Sequence, residues 1–246
     1  MIQAAIWGGI ASLSLFIGAL AGIFLRIPKR IVAYIMAFGT GLIIGSATFD
    51  LLSEAQGNAN LLMITLMFLL GALLFTIFEL LISKKGGNER KRSNKNPHGH
   101  AGLAIYVGTL MDAIPESIII GISFIGSQPV QWVFIFAIFI SNLPESLSSS
   151  IGLRKDHYSI RKILFLWGSV VVLSSISAML GYVFLQGASE SVSYLIGAFG
   201  AGGLMAMVSS TMLPEAFEQG GPVVGFISSL GIILSYILTN LQGPAF

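Results

Sequence analysis

The segment MDAIPESIIIG, residues 111–121, places two carboxylates and a proline inside a long apolar run. A segment of similar design, ISNLPESLSSSIG, follows at residues 140–152. An ionised side chain at the centre of a bilayer costs about 2.5–3.5 kcal/mol on insertion scales, and proline removes a helical hydrogen bond. Two such elements in an apolar chain therefore indicate a polar site between membrane-spanning helices.

The composition of the whole chain is that of a protein that crosses a membrane several times. Of its 246 residues, 54% are hydrophobic and 10% are charged, whereas soluble domains carry about 25% charged residues. There is no cysteine, which excludes disulfides, thiolate metal ligands and a cysteine nucleophile. The net charge of +2 is too small to favour nucleic acid as a partner.

Eight apolar runs are long enough for membrane-spanning helices, which need about 20 residues each. They are predicted at residues 2–25, 31–52, 59–82, 101–125, 130–152, 160–185, 191–213 and 222–241. Basic residues follow the first run and do not precede it, which favours a retained span over a signal peptide. We therefore expect an all-α protein with one transmembrane domain, residues 1–246, and a basic loop at 83–100.

The positions of lysine and arginine predict how the spans are oriented. All 13 basic residues fall in three connections, at residues 26–30, 84–95 and 154–162. With eight spans these connections lie on one side of the membrane, and such an excess marks the cytoplasmic side. We expect a protein of the cell membrane with both termini outside and the loop 83–100 in the cytoplasm.

Two segments of the chain resemble each other in sequence. Residues 38–55, FGTGLIIGSATFDLLSEA, align without gaps on residues 199–216, FGAGGLMAMVSSTMLPEA. The first lies in span two and the second in span seven, and these spans are predicted to cross in opposite directions. Such pairs are typical of inverted-repeat transporters. We therefore expect spans one to three and six to eight to form an inverted repeat around spans four and five.

The central spans carry matching sets of polar residues. In span four, Asp112 and Glu116 are four residues apart and so share one helix face. In span five, Ser141, Asn142 and Glu145 hold the corresponding positions. The central part of each span contains no lysine or arginine, so the missing counter-charge is most simply a metal ion or a proton.

The prolines of these two elements add neutral oxygen to the acidic groups. Pro115 and Pro144 each lack an N–H, which loosens the helix and frees a carbonyl four residues earlier. Oxygen ligands without cysteine or a central histidine favour the harder divalent cations. The predicted metal ligands are Asp112, Glu116, Asn142 and Glu145, with Ser141 and Ser117 as helpers.

Four further acidic residues lie near the ends of spans two and seven. Asp50 and Glu54 are near the outer end of span two, and Glu215 and Glu218 are near the inner end of span seven. They are candidate ligands at the two mouths of a transport pathway. Ordinary solvation of helix ends explains them equally well, and both interpretations stay open.

These elements resemble those of the ZIP (Zrt/Irt-like) family of divalent-metal transporters. The family carries an H-N-x-P-E-G type element in span four and often N-x-P-E-G in span five, where this chain has DAIPES at 112–117 and SNLPES at 141–146. The resemblance covers the eight spans and implies that Zn²⁺, Mn²⁺ or Fe²⁺ is the substrate, that no organic cofactor is needed and that the protein is a homodimer. Asp112, in place of the family histidine, favours Mn²⁺ or Fe²⁺ on ligand softness.

The expected function is transport of a divalent metal cation toward the cytoplasm, with metal ions and membrane lipid as partners. An enzyme is not expected, because the chain has no H-E-x-x-H or G-x-S-x-G motif. The alternative is a ZIP-like protein that has lost or changed metal transport. It would act as a sensor or scaffold, or would carry another solute by proton coupling.

Overall fold

A computed structural model describes residues 1–84, 101–125 and 131–241, apart from the side chains of residues 82–84 and 101–105. In these ranges the chain is helical and has no β-strand. The helices are α1 (Ile2–Phe24), α2 (Lys29–Ser46), α3 (Ser53–Asn58), α4 (Leu61–Lys84), α5 (Ala101–Ile122), α6 (Trp132–Lys155), α7 (Ile160–Leu185), α8 (Glu190–Met207), α9 (Leu213–Gly220) and α10 (Val223–Leu241).

Within the described ranges, seven helical segments are long and apolar enough to cross a membrane. Two of them are composite, because Lys29–Asn58 contains α2 and α3 and Glu190–Gly220 contains α8 and α9. The prediction of an all-α, multi-pass membrane protein is therefore confirmed. The predicted fourth span corresponds to the 22-residue helix α5, and most of the predicted basic loop, residues 85–100, lies outside the described residues.

Spans two and seven continue further than their apolar runs predict. Each passes through a short π-helical turn, Ala47–Leu52 or Val208–Met212, before the terminal helices α3 and α9. Pro214 lies in the first turn of α9, directly after the π-helical turn, and it has no N–H to donate to that turn. The two π-helical turns begin at equivalent positions of the aligned segments 38–55 and 199–216.

The surface of the helices is suited to hydrocarbon. In α4, Leu61, Leu69 and Leu73 are each more than half exposed, and α10 exposes Phe226 to a similar degree. Soluble monomers rarely expose contiguous apolar faces of this kind. Lipid around the helices would keep this apolar surface out of water, which agrees with a multi-pass membrane protein.

The helices pack in two groups. The first contains α1, α5, α6 and α7, and the second contains α2, α4, α8 and α10. Contact between α2 and α6 joins the groups over a long interface, whereas α5 and α8 meet over a short one. The largest apolar core cluster lies where the groups join and includes Leu42, Ile119, Phe134 and Leu204.

Glycines allow two helix pairs to pack backbone against backbone. A Cβ on Gly41 of α2 would overlap with the Ser228 carbonyl of α10, and a Cβ on Gly202 of α8 would overlap with the Phe68 carbonyl of α4. Small residues at such crossings are the usual device of helix packing in membranes. Gly41 and Gly202 also hold equivalent positions in the two aligned segments.

Candidate functional site

The acidic residues of α5 lie inside the protein. Asp112 and Glu116 are 4% and 3% exposed, and both line one cavity between α4, α5 and α8, as their four-residue spacing predicts. The helix continues through Pro115, which lines the same cavity. The cavity has a volume of about 370 Å³, and the rest of its wall is apolar side chains and glycine.

The glutamate of α6 contacts α5 through a threonine. Thr109 Oγ1 donates a hydrogen bond to Glu145 Oε1 at 3.3 Å. Thr109 is three residues before Asp112, so both lie on the same side of α5. The two proline-containing helices therefore meet at a polar contact beside the predicted metal ligands.

Glu145 also lines a second, smaller cavity. Glu215 of α9, Met36 and Met212 line it as well. Both carboxylates are buried, at 7% and 6% exposure. The structure thus brings together a residue predicted for the central site and one predicted for the inner mouth.

The hydroxyl groups of the predicted helper residues Ser117 and Ser141 each donate a hydrogen bond within their own helix. Ser117 Oγ donates to the carbonyl of Ala113 at 2.7 Å, and Ser141 Oγ donates to the carbonyl of Ile138 at 3.0 Å. A hydroxyl that donates its hydrogen to a carbonyl keeps its own lone pairs for another partner. Asn142 is buried, and its Nδ2 makes no hydrogen bond to the described residues.

A cavity that contains Glu54 lies at the predicted outer end of the helix bundle, and we call it the outer cavity. Gln131 Nε2, next to the start of α6, donates to Glu54 Oε2 at 2.6 Å. Both residues line this cavity together with Glu190 and Tyr194 of α8 and Ile119 of α5. Ile119 also lines the cavity that contains Asp112 and Glu116, so its side chain stands between the two spaces.

Asp50 and Glu218, the other two candidate pathway residues, do not line the three cavities described above. The Asp50 carboxylate accepts hydrogen bonds from Ser46 Oγ and from Thr239 Oγ1 of α10, each at 2.6 Å. It therefore connects α2 to α10. Glu218 is exposed on α9, as solvation of a helix end would explain.

The buried charged residues in the described part of the chain are all acidic. They are Asp50, Asp112, Glu116, Glu145 and Glu215. Within the same ranges, no group of three or more histidine, aspartate and glutamate side chains could hold a metal ion together. A ligand set built here would combine one or two carboxylates with hydroxyl, amide or backbone oxygens.

Three residues of these sites were not singled out in the sequence. Thr109, Gln131 and Thr239 are neutral, and their partners come from other helices. Only for Thr109 does the sequence carry a signal, since it lies one helical turn before Asp112 on the same face. For the other two, only helix packing reveals the pairing.

The fold and the buried carboxylates define the class of this protein as a multi-pass helical membrane protein with an acidic interior. No protein-family model and no curated protein sequence matches the chain.

Proposed function

We propose that the protein transports divalent metal cations across the cell membrane toward the cytoplasm, as a ZIP-like transporter. The observation that supports this most is the contact, through Thr109 and Glu145, between two helices that each contain an internal proline and a buried glutamate. The proposal includes no catalytic step.

The charge balance of the interior favours a cation as the substrate. Asp112, Glu116 and Glu145 are buried, and in the described part of the chain no lysine or arginine is buried with them. Buried charges in proteins are paired with an opposite charge or bind a metal. A divalent cation would bring positive charge to these carboxylates, whereas an anion would be repelled.

The ligands that we propose come from both helices. Glu116 and Asp112 of α5 and Glu145 of α6 supply charge, with no more than two of these carboxylates on the metal at once in the described arrangement. Asn142 supplies an amide oxygen, and the hydroxyls of Ser117 and Ser141 supply further neutral oxygen. Such a set suits Mn²⁺, Fe²⁺ or Zn²⁺, with the metal as substrate and without an organic cofactor.

The route that we propose runs from Glu54 past the central helices to Glu215. Glu54 lines the outer cavity, which Ile119 separates from Asp112 and Glu116. Glu215 shares the small cavity with Glu145. This order supports Glu54 and Glu215 as residues of opposite mouths, and the positions of the basic connections predict that Glu54 is at the outer one. Asp50 is not a ligand in the proposed route. Its carboxylate accepts hydrogen bonds from Ser46 of α2 and Thr239 of α10 and so connects these helices.

We further propose eight spans, with α5 as the fourth, in a homodimer whose termini are outside. The inverted repeat is supported by the equivalent π-helical turns and by Gly41 and Gly202, which pack on α10 and α4 in the same manner. The dimer and the contact with membrane lipid follow from the resemblance to ZIP transporters.

One observation favours a second candidate, a ZIP-like protein that binds metal without carrying it. In the described ranges no three acidic or histidine side chains form a metal-holding group. A sensor or scaffold needs no complete site that can alternate between the two sides of the membrane.

Uptake into proteoliposomes tests the proposal. We expect flux of at least one of Zn²⁺, Mn²⁺, Fe²⁺, Co²⁺ or Cd²⁺, and its loss in Glu116→Ala and in Glu145→Ala. Glu79→Ala, in a part of α4 away from the contact between α5 and α6, is the matched control and should carry metal normally. Normal flux in both test variants would contradict the proposal, and equilibrium metal binding without flux would favour the second candidate.

A further inference from the structure

The two sides of the helix bundle pack differently. A Cβ on Gly39 of α2 would come within 2.7 Å of Ser141 Cα in α6, so α2 and α6 are in close contact. On the side of α5 that faces α4 and α8, Ile119 packs on Gly200 of α8. Next to this contact, the cavity of about 370 Å³ separates α5 from α4 and α8. Thus α5, which packs closely on α7, packs much less closely on α4 and α8 than α2 packs on α6.

This cavity, which we call the α4–α5 cleft, opens at the surface of the described structure. Phe78 of α4 and Val107 of α5 both line it, and they are 52% and 40% exposed. The buried residues Asp112 and Glu116 line the part of the cleft that lies inside the protein. The cleft therefore leads from the apolar surface of the helices to two carboxylates.

Away from Asp112 and Glu116, the side chains that line the cleft offer no oxygen ligand to an inorganic ion. Apart from the two carboxylates, the described lining consists of apolar side chains, proline and glycine, including Phe75, Phe78 and Phe199. An inorganic cation gives up its water only for several oxygen ligands. The wall suits a compound with an apolar body, and a volume of this size is typical of a small-molecule site.

We propose that the α4–α5 cleft binds a lipophilic organic monocation, an ammonium or phosphonium group with aromatic or hydrocarbon substituents. The apolar substituents would contact Phe75, Phe78 and Phe199, and the charged centre would lie at Asp112 and Glu116. Carboxylates attract the positive charge, and the faces of phenylalanine rings add cation–π attraction.

The same two carboxylates belong to the proposed metal site. An organic cation in the cleft therefore competes with the metal and blocks its passage. This competition rests on the proposed function, whereas binding of the organic cation does not. A lipid acyl chain or a second copy of the chain would fill the apolar part of the cleft without using the carboxylates.

Binding of radiolabelled tetraphenylphosphonium to the full chain in nanodiscs of zwitterionic lipid tests the inference, with empty nanodiscs subtracted. We expect saturable binding that weakens about tenfold or more in Asp112→Asn and in Glu116→Gln, because each substitution removes a buried charge opposite the cation. Unlabelled triphenylphosphine oxide, an uncharged compound of related shape, should compete poorly.

A variant that fills the cleft without touching the carboxylates provides the second test. A Cβ on Gly203 of α8 meets only the Gly71 carbonyl, at 3.7 Å, and Gly203 lines the cleft. Gly203→Leu should therefore abolish tetraphenylphosphonium binding and leave Mn²⁺ binding in place. Gly225→Leu is the matched control, since a Cβ there meets no atom within 4 Å on the exposed face of α10.

Several results would overturn the inference. Equal competition by the uncharged compound, or unchanged binding in the carboxylate variants, would identify an apolar site that an acyl chain fills. A change of oligomeric state in Gly203→Leu, but not in Gly225→Leu, would place a second copy in the cleft. If metal flux is absent while tetraphenylphosphonium binds as expected, the proposed function fails and the cleft assignment stands.

Discussion

Thr109 of α5 donates a hydrogen bond to the Glu145 carboxylate of α6, and this bond joins two helices that each have a proline in the helix interior. The bond holds one Glu145 oxygen toward α5, on the side where Asp112 lies. Glu145 also borders the small cavity that contains Glu215. Glu145 is thus the acidic residue that connects the centre of the bundle to its predicted inner end.

Replacing Thr109 by valine should weaken metal binding. The change keeps the shape of the side chain and removes the donor to Glu145. A hydrogen bond to a charged group contributes about 1.5–3 kcal/mol, so we expect the affinity for Mn²⁺, measured by isothermal titration calorimetry, to fall by about tenfold or more. Thr76→Val is the control, because Thr76 Oγ1 bonds only within its own helix. Equal affinities in the two variants would contradict a role for Thr109 in positioning Glu145.

Replacing Glu54 by glutamine should affect the capture of metal more than its passage. Glu54 lies at the outer cavity with Gln131, away from the proposed central ligands. We therefore expect a higher KM for metal uptake and a nearly unchanged maximal rate in proteoliposomes. Glu218→Gln, on the exposed side of α9, should leave both parameters unchanged. A fall in the maximal rate with constant KM would place Glu54 in the central site instead.

Replacing Ile119 by alanine should open a passage between the outer cavity and the α4–α5 cleft. The Ile119 side chain lines both spaces and packs on Gly200. We expect an increased leak of small ions through proteoliposomes, together with a destabilisation of about 2–5 kcal/mol that is typical of a buried isoleucine cut to alanine. Ile119→Val, which keeps most of the side chain, should leak little. A tight membrane with Ile119→Ala would show that other residues separate the two spaces.

Two neighbouring glycines of the cleft should respond differently to alanine. A Cβ on Gly71 would overlap with the Phe199 carbonyl of α8, whereas one on Gly203 has 3.7 Å of clearance. Gly71→Ala should therefore destabilise the protein by about 1–3 kcal/mol, the usual effect of overpacking. Gly203→Ala should leave the midpoint of thermal unfolding in detergent close to that of the parent protein. Equal midpoints would mean that α4 moves away from α8 at no cost.

Metal binding should weaken as the pH falls. The proposed ligands Asp112, Glu116 and Glu145 bind metal only when they are deprotonated, so protons compete for the same oxygens. We expect the dissociation constant for Mn²⁺ to rise steadily on acidification, and protons to be released when metal is added at constant pH. Titrations in two buffers of different ionisation enthalpy measure that release directly. Binding that is insensitive to pH would exclude these carboxylates as ligands.

The helical fold was predictable because membrane helices are determined by local sequence. Apolar runs of about 20 residues predict spans, and the helices of the structure follow them closely, as for the last span, predicted at 222–241 and observed as Val223–Leu241. The observed ends of spans two and seven lie beyond the predicted ones, because their helices continue through π-helical turns into the polar segments of α3 and α9. A polar helix end carries no apolar pattern from which its length can be predicted.

By itself, the sequence of this protein determined that it is a multi-pass helical membrane protein and which acidic residues lie within its spans. Spacing along one helix placed Asp112 and Glu116 on a common face, since backbone periodicity alone decides that relation. Only the tertiary structure decided that Thr109 bonds Glu145 and that Asp50 bonds Thr239, 189 residues away. It also decided that α2 packs closely on α6 while a cleft separates α4 from α5. These relations depend on how rigid helices fit side by side, and contacts between distant residues leave no periodic signal in the chain.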